Sequence, residues 1–158
     1  MSKLAPGDPA PDFELLDQNG RVVKLADFRG RKLLLYFYPQ ADTPGCTRQA
    51  CSVRDARQGL SDLGLAVVGI SPDPTPKQKK FDDKYGLTFP LLADTERQTA
   101  AAYGAWGEKN MYGKKVDGLI RSSFLLDEAG KIIQAWYKVR PEDTVLKARQ
   151  ALAAEGKN

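Results

Sequence analysis

The sequence predicts one mixed α/β domain over residues 1–158, a central sheet flanked by helices on both faces. Three observations predict it. Unbroken apolar runs of strand length, Lys32–Tyr38 and Leu65–Ile70, alternate with longer segments of helical character. Runs that are apolar on both faces belong at the centre of a sheet that helices cover. Towards the end, two further strand-like runs around a turn are followed by a last helix, which adds an antiparallel hairpin to the alternating pattern.

Each element follows in order. Leu4–Pro11 is punctuated by Pro6, Pro9 and Pro11 and reads as extended surface chain. Asp12–Leu16 and Arg21–Leu25 flank Asp17-Gln18-Asn19-Gly20, and an Asn-Gly between short alternating segments reads as a β-hairpin. The Lys32–Tyr38 strand ends at Pro39. A polar loop leads into a helix from Pro44 to about Leu63, and Leu65–Ile70 is the second buried strand. A helix is expected over about Thr75–Tyr85, with Gly86 as its stop. Phe89–Leu92 reads as a short strand. Thr95–Tyr103 reads as a short helix capped by Thr95 and stopped by Gly104. Residues 105–121 receive no element; Lys109, Lys114 and Lys115 there read as solvated loop charges, and Trp106, like Phe81 and Tyr85, as packing. Ser122–Leu126 and Ile132–Val139 are strands joined by a turn at Asp127–Lys131. The closing helix runs from about Glu142 to Ala154.

Composition narrows the function. The net charge of +4 invites a nucleic-acid partner, but the cations are scattered, and Lys77, Lys79 and Lys80 are followed at once by Asp82 and Asp83. That pattern is a solvated helix face, so no nucleic acid is expected. The longest apolar run is far too short to span a bilayer, and no membrane role is expected. Met1–Pro11 holds no apolar core and no cleavage pattern, so the expected location is the cytoplasm. Disulfides are rarely structural in that reducing setting. Two cysteines, Cys46 and Cys51, then call for a chemical explanation. The chain has no histidine, which excludes Cys-His and Ser-His-Asp catalysis and any His-containing zinc site. Two cysteines cannot build a four-thiolate zinc site either, and neither common nucleotide loop occurs.

The informative segment is Pro39–Cys51, PQADTPGCTRQAC, where a central strand gives way to a helix. Ligands bind at that end of the strands in open α/β sheets. Thr43 suits an N-cap and Pro44 the first helical position. Cys46 then falls in the first turn, where free N–H groups and the positive end of the helix dipole favour a thiolate over a thiol. Its plainer reading is a small buried apolar residue. Cys51 follows five residues on. On one regular helix the two Cα atoms lie roughly 8.7 Å apart, beyond the disulfide limit of about 7 Å. A structural staple is not built this way. A redox couple that unwinds the first turns could be. The plainer reading of Cys51 is a packed helix residue among Ala50, Val53 and Ala56. Four intervening residues also differ from the CxxC of disulfide oxidoreductases.

Pro39, Thr43 and Cys46 reproduce the PxxxTxxC signature of peroxiredoxins, and PGCTRQAC resembles their Q-type branch, the bacterioferritin comigratory proteins. The resemblance extends through PAPDFEL, LLLYFYP, VVGIS, AYGAWGEKNMYGKK and GLIRSSFLLDEAGKI, nearly the whole chain. It implies a thioredoxin-like fold with an N-terminal β-hairpin extension. It implies reduction of hydrogen peroxide and organic hydroperoxides, with thioredoxin or a similar dithiol returning the electrons and no metal or organic cofactor. A monomer is the expected unit, with a dimer as the open alternative. Cys46 matches the peroxidatic cysteine and Cys51 the resolving one, joined in a disulfide when oxidised. Thr43, Pro39 and Arg121 match the remaining catalytic positions, with Gly45, Thr43 and Arg121 placed to bind the peroxide.

Acidity alone does not make a fast peroxidase. Lowering any cysteine from about 8.5 to about 5.5 gains roughly 30-fold in thiolate at neutral pH. The same shift forfeits roughly 15- to 30-fold in nucleophilicity. The balance must come from donors that orient the O–O bond and meet its developing charge. The Thr43 hydroxyl, the N–H groups of Gly45 and Cys46, and the Arg121 guanidinium are the candidates. Thr43 as a mere cap, Arg121 as an edge charge and Pro39 as a strand terminator are the plain alternatives. Two other functions compete: a general thiol–disulfide oxidoreductase on the same fold, and a non-catalytic holdase with incidental cysteines.

Overall fold

The computed structural model describes residues 3–155. Seven of its strands form one sheet: β1 (Glu14–Leu16), β2 (Val22–Lys24), β3 (Lys32–Phe37), β4 (Leu65–Ser71), β5 (Leu91–Ala93), β8 (Ser122–Leu126) and β9 (Ile132–Tyr137). Their order across the sheet is β2-β1-β5-β4-β3-β8-β9. The strands β3, β4 and β5 run parallel, and the outer pairs are antiparallel. The helices are α1 (Pro44–Asp62), α2 (Thr75–Tyr85), α3 (Gln98–Ala102) and α4 (Thr144–Glu155). Two further strands, β6 (Trp106–Met111) and β7 (Lys114–Leu119), make a separate hairpin.

The sheet has an apolar face on each side because β3 and β4 are apolar at nearly every position. Leu33 to Tyr38 are all at most 1% exposed. Leu34, Tyr36 and Tyr38 face α1, α2 and α4 through Ala50, Val53, Phe81 and Ala148. Leu33, Leu35 and Phe37 face α3 and the N-terminal segment through Phe13, Leu25, Ala100 and Tyr103. Alternate residues of one strand thus serve two layers. The N-terminal segment is tied to the edge strand β9: the Gly7 N–H donates to the Ile132 carbonyl (2.8 Å), and the Ile132 N–H to Asp8 (2.8 Å).

Several expectations need correction. The stretch read as loop, residues 105–121, contains the β6–β7 hairpin, with Tyr112 and Gly113 at φ 54° and 80° forming its tight turn. Lys109 is not a free loop charge; its ammonium donates to the Leu119 carbonyl at 2.9 Å. The short helix begins at Gln98, not Thr95, and Asp94 supplies its cap by accepting the N–H groups of Thr99 and Ala100. The strand expected at Phe89–Leu92 lies at Leu91–Ala93. The last strand stops at Tyr137, because Lys138 turns into the left-handed region at φ 59°. A 3-10 turn, Pro141–Asp143, precedes α4 and delays its start to Thr144.

Candidate active site

The site forms where β3 ends and α1 begins. The Tyr38 N–H continues the ladder by donating to Ile70 at 3.0 Å, and the chain then leaves the sheet at Pro39. The loop that follows is pinned twice. The Ala41 N–H donates to the Asp73 carboxylate at 2.6 Å. Asp42, held at φ 62°, accepts from Lys84 at 2.9 Å and from the Tyr85 hydroxyl at 2.7 Å. Behind the loop runs a buried polar chain. Tyr38 donates to Gln78, Gln78 donates to Ser71 at 2.7 Å, and Ser71 donates to Asp73 at 2.7 Å. Burial holds the Tyr38 hydroxyl far above the usual phenol range, so it remains a donor.

Thr43 occupies the N-cap position with extended backbone, and its carbonyl accepts the Thr47 N–H at 2.8 Å. Its hydroxyl does not cap the helix. It donates instead to the Gln40 carbonyl at 2.9 Å, so the hydroxyl oxygen keeps its lone pairs. Pro44 fills the first helical position, as its missing N–H favours. Cys46 follows in the first turn and is 1% exposed.

Arg121 reaches this turn from the opposite side. It stands one residue before β8, the strand directly beside β3. Its Nη2 lies 3.5 Å from the Cys46 sulfur, and its Nη1 donates to Gln49 Oε1. The Gln49 amide in turn donates to the Thr144 hydroxyl at 2.8 Å. Gly45 makes room for this approach. A Cβ there would stand 3.2 Å from Arg121 Nη2 and 3.4 Å from Pro141 Cγ. Arg121 and Pro39 also line a cleft of about 530 Å³ walled by Leu119, Ile120, Lys138 and the β6–β7 hairpin. The cleft therefore reaches Arg121, whose guanidinium contacts the sulfur.

Cys51 lies one and a half turns further along α1, half-buried, and both cysteines are free thiols. The helix is continuous from Pro44 to Asp62. Regular helix geometry keeps the two Cα atoms roughly 8.7 Å apart. Thus Cys46, Arg121, Gly45 and Thr43 are brought to one helix start. Pro39 stands at its mouth, and Cys51 is held apart.

Residues 6–135 match the AhpC/TSA family. This chain belongs to that family, the peroxiredoxins. Peroxiredoxin Bcp of Escherichia coli is 49% identical over 132 residues, covering 84% of this chain and 85% of that one. A structure of the Xanthomonas campestris bacterioferritin comigratory protein, from work on its alkyl peroxide reduction, is 32% identical with a TM-score of 0.86, covering 97% of each chain. Xylella fastidiosa PrxQ, solved as a cysteine-to-serine variant, has a TM-score of 0.91 at 28% identity, covering 99% of each chain. The peroxiredoxin fold here is accordingly thioredoxin-like, and the chain is a thiol peroxidase. Among the described residues no helix is long and apolar enough to cross a membrane.

The sequence pattern did not reveal Gln49 and Thr144, which fix the arginine of this peroxiredoxin. One signal was present. Gln49 lies at i+3 from Cys46, on the stripe otherwise made by Cys46, Ala50 and Val53. A polar residue on a buried stripe needs a partner, and here the partner is Arg121.

Proposed function

We propose that Cys46 is the peroxidatic cysteine and Cys51 the resolving one. The Cys46 thiolate attacks one peroxide oxygen. The O–O bond breaks, the other oxygen leaves as water or alcohol after taking a proton, and the sulfur becomes a sulfenic acid. The Cys51 sulfur then attacks Cys46, water leaves, and a disulfide forms. An external dithiol, thioredoxin or a relative, reduces it by exchange and restores both thiols. Arg121 and the N–H groups of the first turn meet the charge that develops on the oxygens. Thr43 presents lone pairs to a peroxide O–H, and Pro39 shields the sulfur from water.

The observation that carries this reading is the guanidinium at 3.5 Å from a buried first-turn sulfur. It supplies a fixed cation where negative charge begins and ends. A general thiol–disulfide oxidoreductase offers its sulfur to large protein disulfides, and a sulfur 1% exposed suits a two-oxygen substrate better. We place the enzyme in the cytoplasm as a monomer of one domain.

The test uses two variants in single-turnover stopped flow with mass spectrometry. Cys46→Ser is expected to abolish peroxide consumption. Cys51→Ser is expected to consume one equivalent and stop as a sulfenic acid, with a second equivalent consumed only where that sulfur goes on to a sulfinic acid. Turnover in Cys46→Ser with thioredoxin present defeats the assignment.

A further inference from the structure

We propose that Tyr36 and Ser123 are positioning residues for the resolving step. Their buried, unmet hydroxyls lie on the sheet face that α1 packs against and weight the chain towards the unwound arrangement in which Cys51 reaches Cys46. The inference rests on the two-cysteine reading above and concerns what sets the pace of its second step.

The placement is fixed by the sheet. Tyr36 on β3 stands directly opposite Ser123 on β8. Opposed residues of an antiparallel pair project to the same face. That face is the one where Tyr36 and Tyr38 pack with Cys46, Ala50 and Val53 of α1. On its other side Tyr36 stands beside Gly69 of β4, and a Cβ at Gly69 would lie 3.1 Å from the Tyr36 hydroxyl. The phenol thus leans over the glycine, below the helix.

Both hydroxyls are shut off. Tyr36 is 0% exposed and Ser123 1%. Neither hydroxyl finds a hydrogen-bond partner among the described residues. Their neighbour Tyr38, on the same face, is fully met by Gln78, so unmet groups are not the rule there. Burial chiefly, and after it Tyr38, opposes ionisation of Tyr36, so its hydroxyl keeps its proton.

A buried hydroxyl without a partner gives up the hydrogen bonds it makes in water. That cost is present while the helix covers the face. It is relieved when the first turns of α1 unwind and water enters. Unwinding is also what the disulfide requires, since the helical spacing exceeds the bridging limit. The two hydroxyls therefore destabilise the arrangement that reacts with peroxide relative to the one that forms the disulfide. Phe at position 36 or Ala at 123 keeps the shape nearly unchanged and removes the unmet group.

The experiment compares Tyr36→Phe and Ser123→Ala with the parent enzyme. In single turnover, peroxide attack on Cys46 is expected to stay within about twofold. Disulfide formation is expected to slow by about 3- to 10-fold in each variant, the ratio one unmet hydroxyl supports. Amide hydrogen exchange over residues 46–52 of the reduced protein is expected to slow by a similar factor. The reduced variants are expected to melt at or above the parent. Unchanged or faster disulfide formation in both variants overturns the proposal, and so does a lower melting point in both. A parent that forms no Cys46–Cys51 disulfide with peroxide overturns the two-cysteine reading instead.

Discussion

Gln49 lies one helical turn after Cys46 and is fully buried, and its role is to hold rather than to react. Its carbonyl oxygen accepts from Arg121 Nη1 and its amide donates to Thr144, so the guanidinium is fixed in plane and direction. A guanidinium free to rotate loses its aim at the sulfur, and small misplacements near reacting atoms cost up to about 100-fold. Gln49→Leu keeps the volume and deletes both bonds. It is expected to slow peroxide attack by about 10- to 100-fold in single turnover. At this scale Cys46, Thr43 and Arg121 were legible as residues that meet at the start of α1, because they occupy a fixed motif and a fixed downstream segment. Gln49 and Tyr36 were not. A glutamine inside TRQAC reads as helix surface until the arginine is known to arrive from β8. A tyrosine inside LLLYFYP reads as core until its hydroxyl is found unmet.

The helix α1 depends on the loop before it, and the loop depends on α2. Asp42 accepts hydrogen bonds from Lys84 and Tyr85 at the far end of α2, across a turn whose backbone is left-handed at Asp42 itself. The Lys84 hydrogen bond first, and then the Tyr85 hydroxyl, hold the Asp42 carboxyl below its ordinary value of 3.8. A carboxyl depressed in the folded state binds fewer protons there than in the unfolded chain. Its contribution to stability is present above that ordinary value and is lost as pH falls through the lower folded one. Asp42→Asn is therefore expected to be less stable than the parent at pH 7, with the gap closing below about pH 4. Urea melts at both pH values read this directly. Among the elements, β3, β4, α1 and α2 were legible from apolar runs and helix stops. The β6–β7 hairpin was not. Its strands WGEKNM and KKVDGL carry little apolar alternation, and its turn uses Tyr112-Gly113 in place of the Asn-Gly that marks such turns.

Across the whole molecule, buried tyrosines occupy both core faces: Tyr36 and Tyr38 beneath α1, and Tyr103 on the opposite side, donating to the Pro11 carbonyl at 2.7 Å. Burial holds all three phenols above their ordinary value of 10.0. The folded chain then keeps protons that the unfolded chain releases above about pH 10. Stability is full below that pH and is lost as pH rises past it. The midpoint of thermal unfolding is expected to fall between about pH 9.5 and about pH 11, and Tyr103→Phe is expected to flatten that fall. The layered architecture was legible because the apolar runs name the central strands. The strand order was not, because it depends on β1 pairing with β5 through Leu16 and Ala93, a contact no local pattern announces. One further consequence follows from the length of α1. The helix runs to Asp62, and Val53 and Leu60 anchor its second half in the core. Unwinding through Cys51 leaves that half standing. Starting a helix from coil is unfavourable by about a thousandfold, whereas extending an existing one is nearly neutral. The anchored half is a permanent nucleus. Once the disulfide is reduced, the first turns regrow from it by propagation, at roughly nanoseconds per residue. The reset is a zipper closing from a fixed end, fast beside the thiol–disulfide exchange that precedes it.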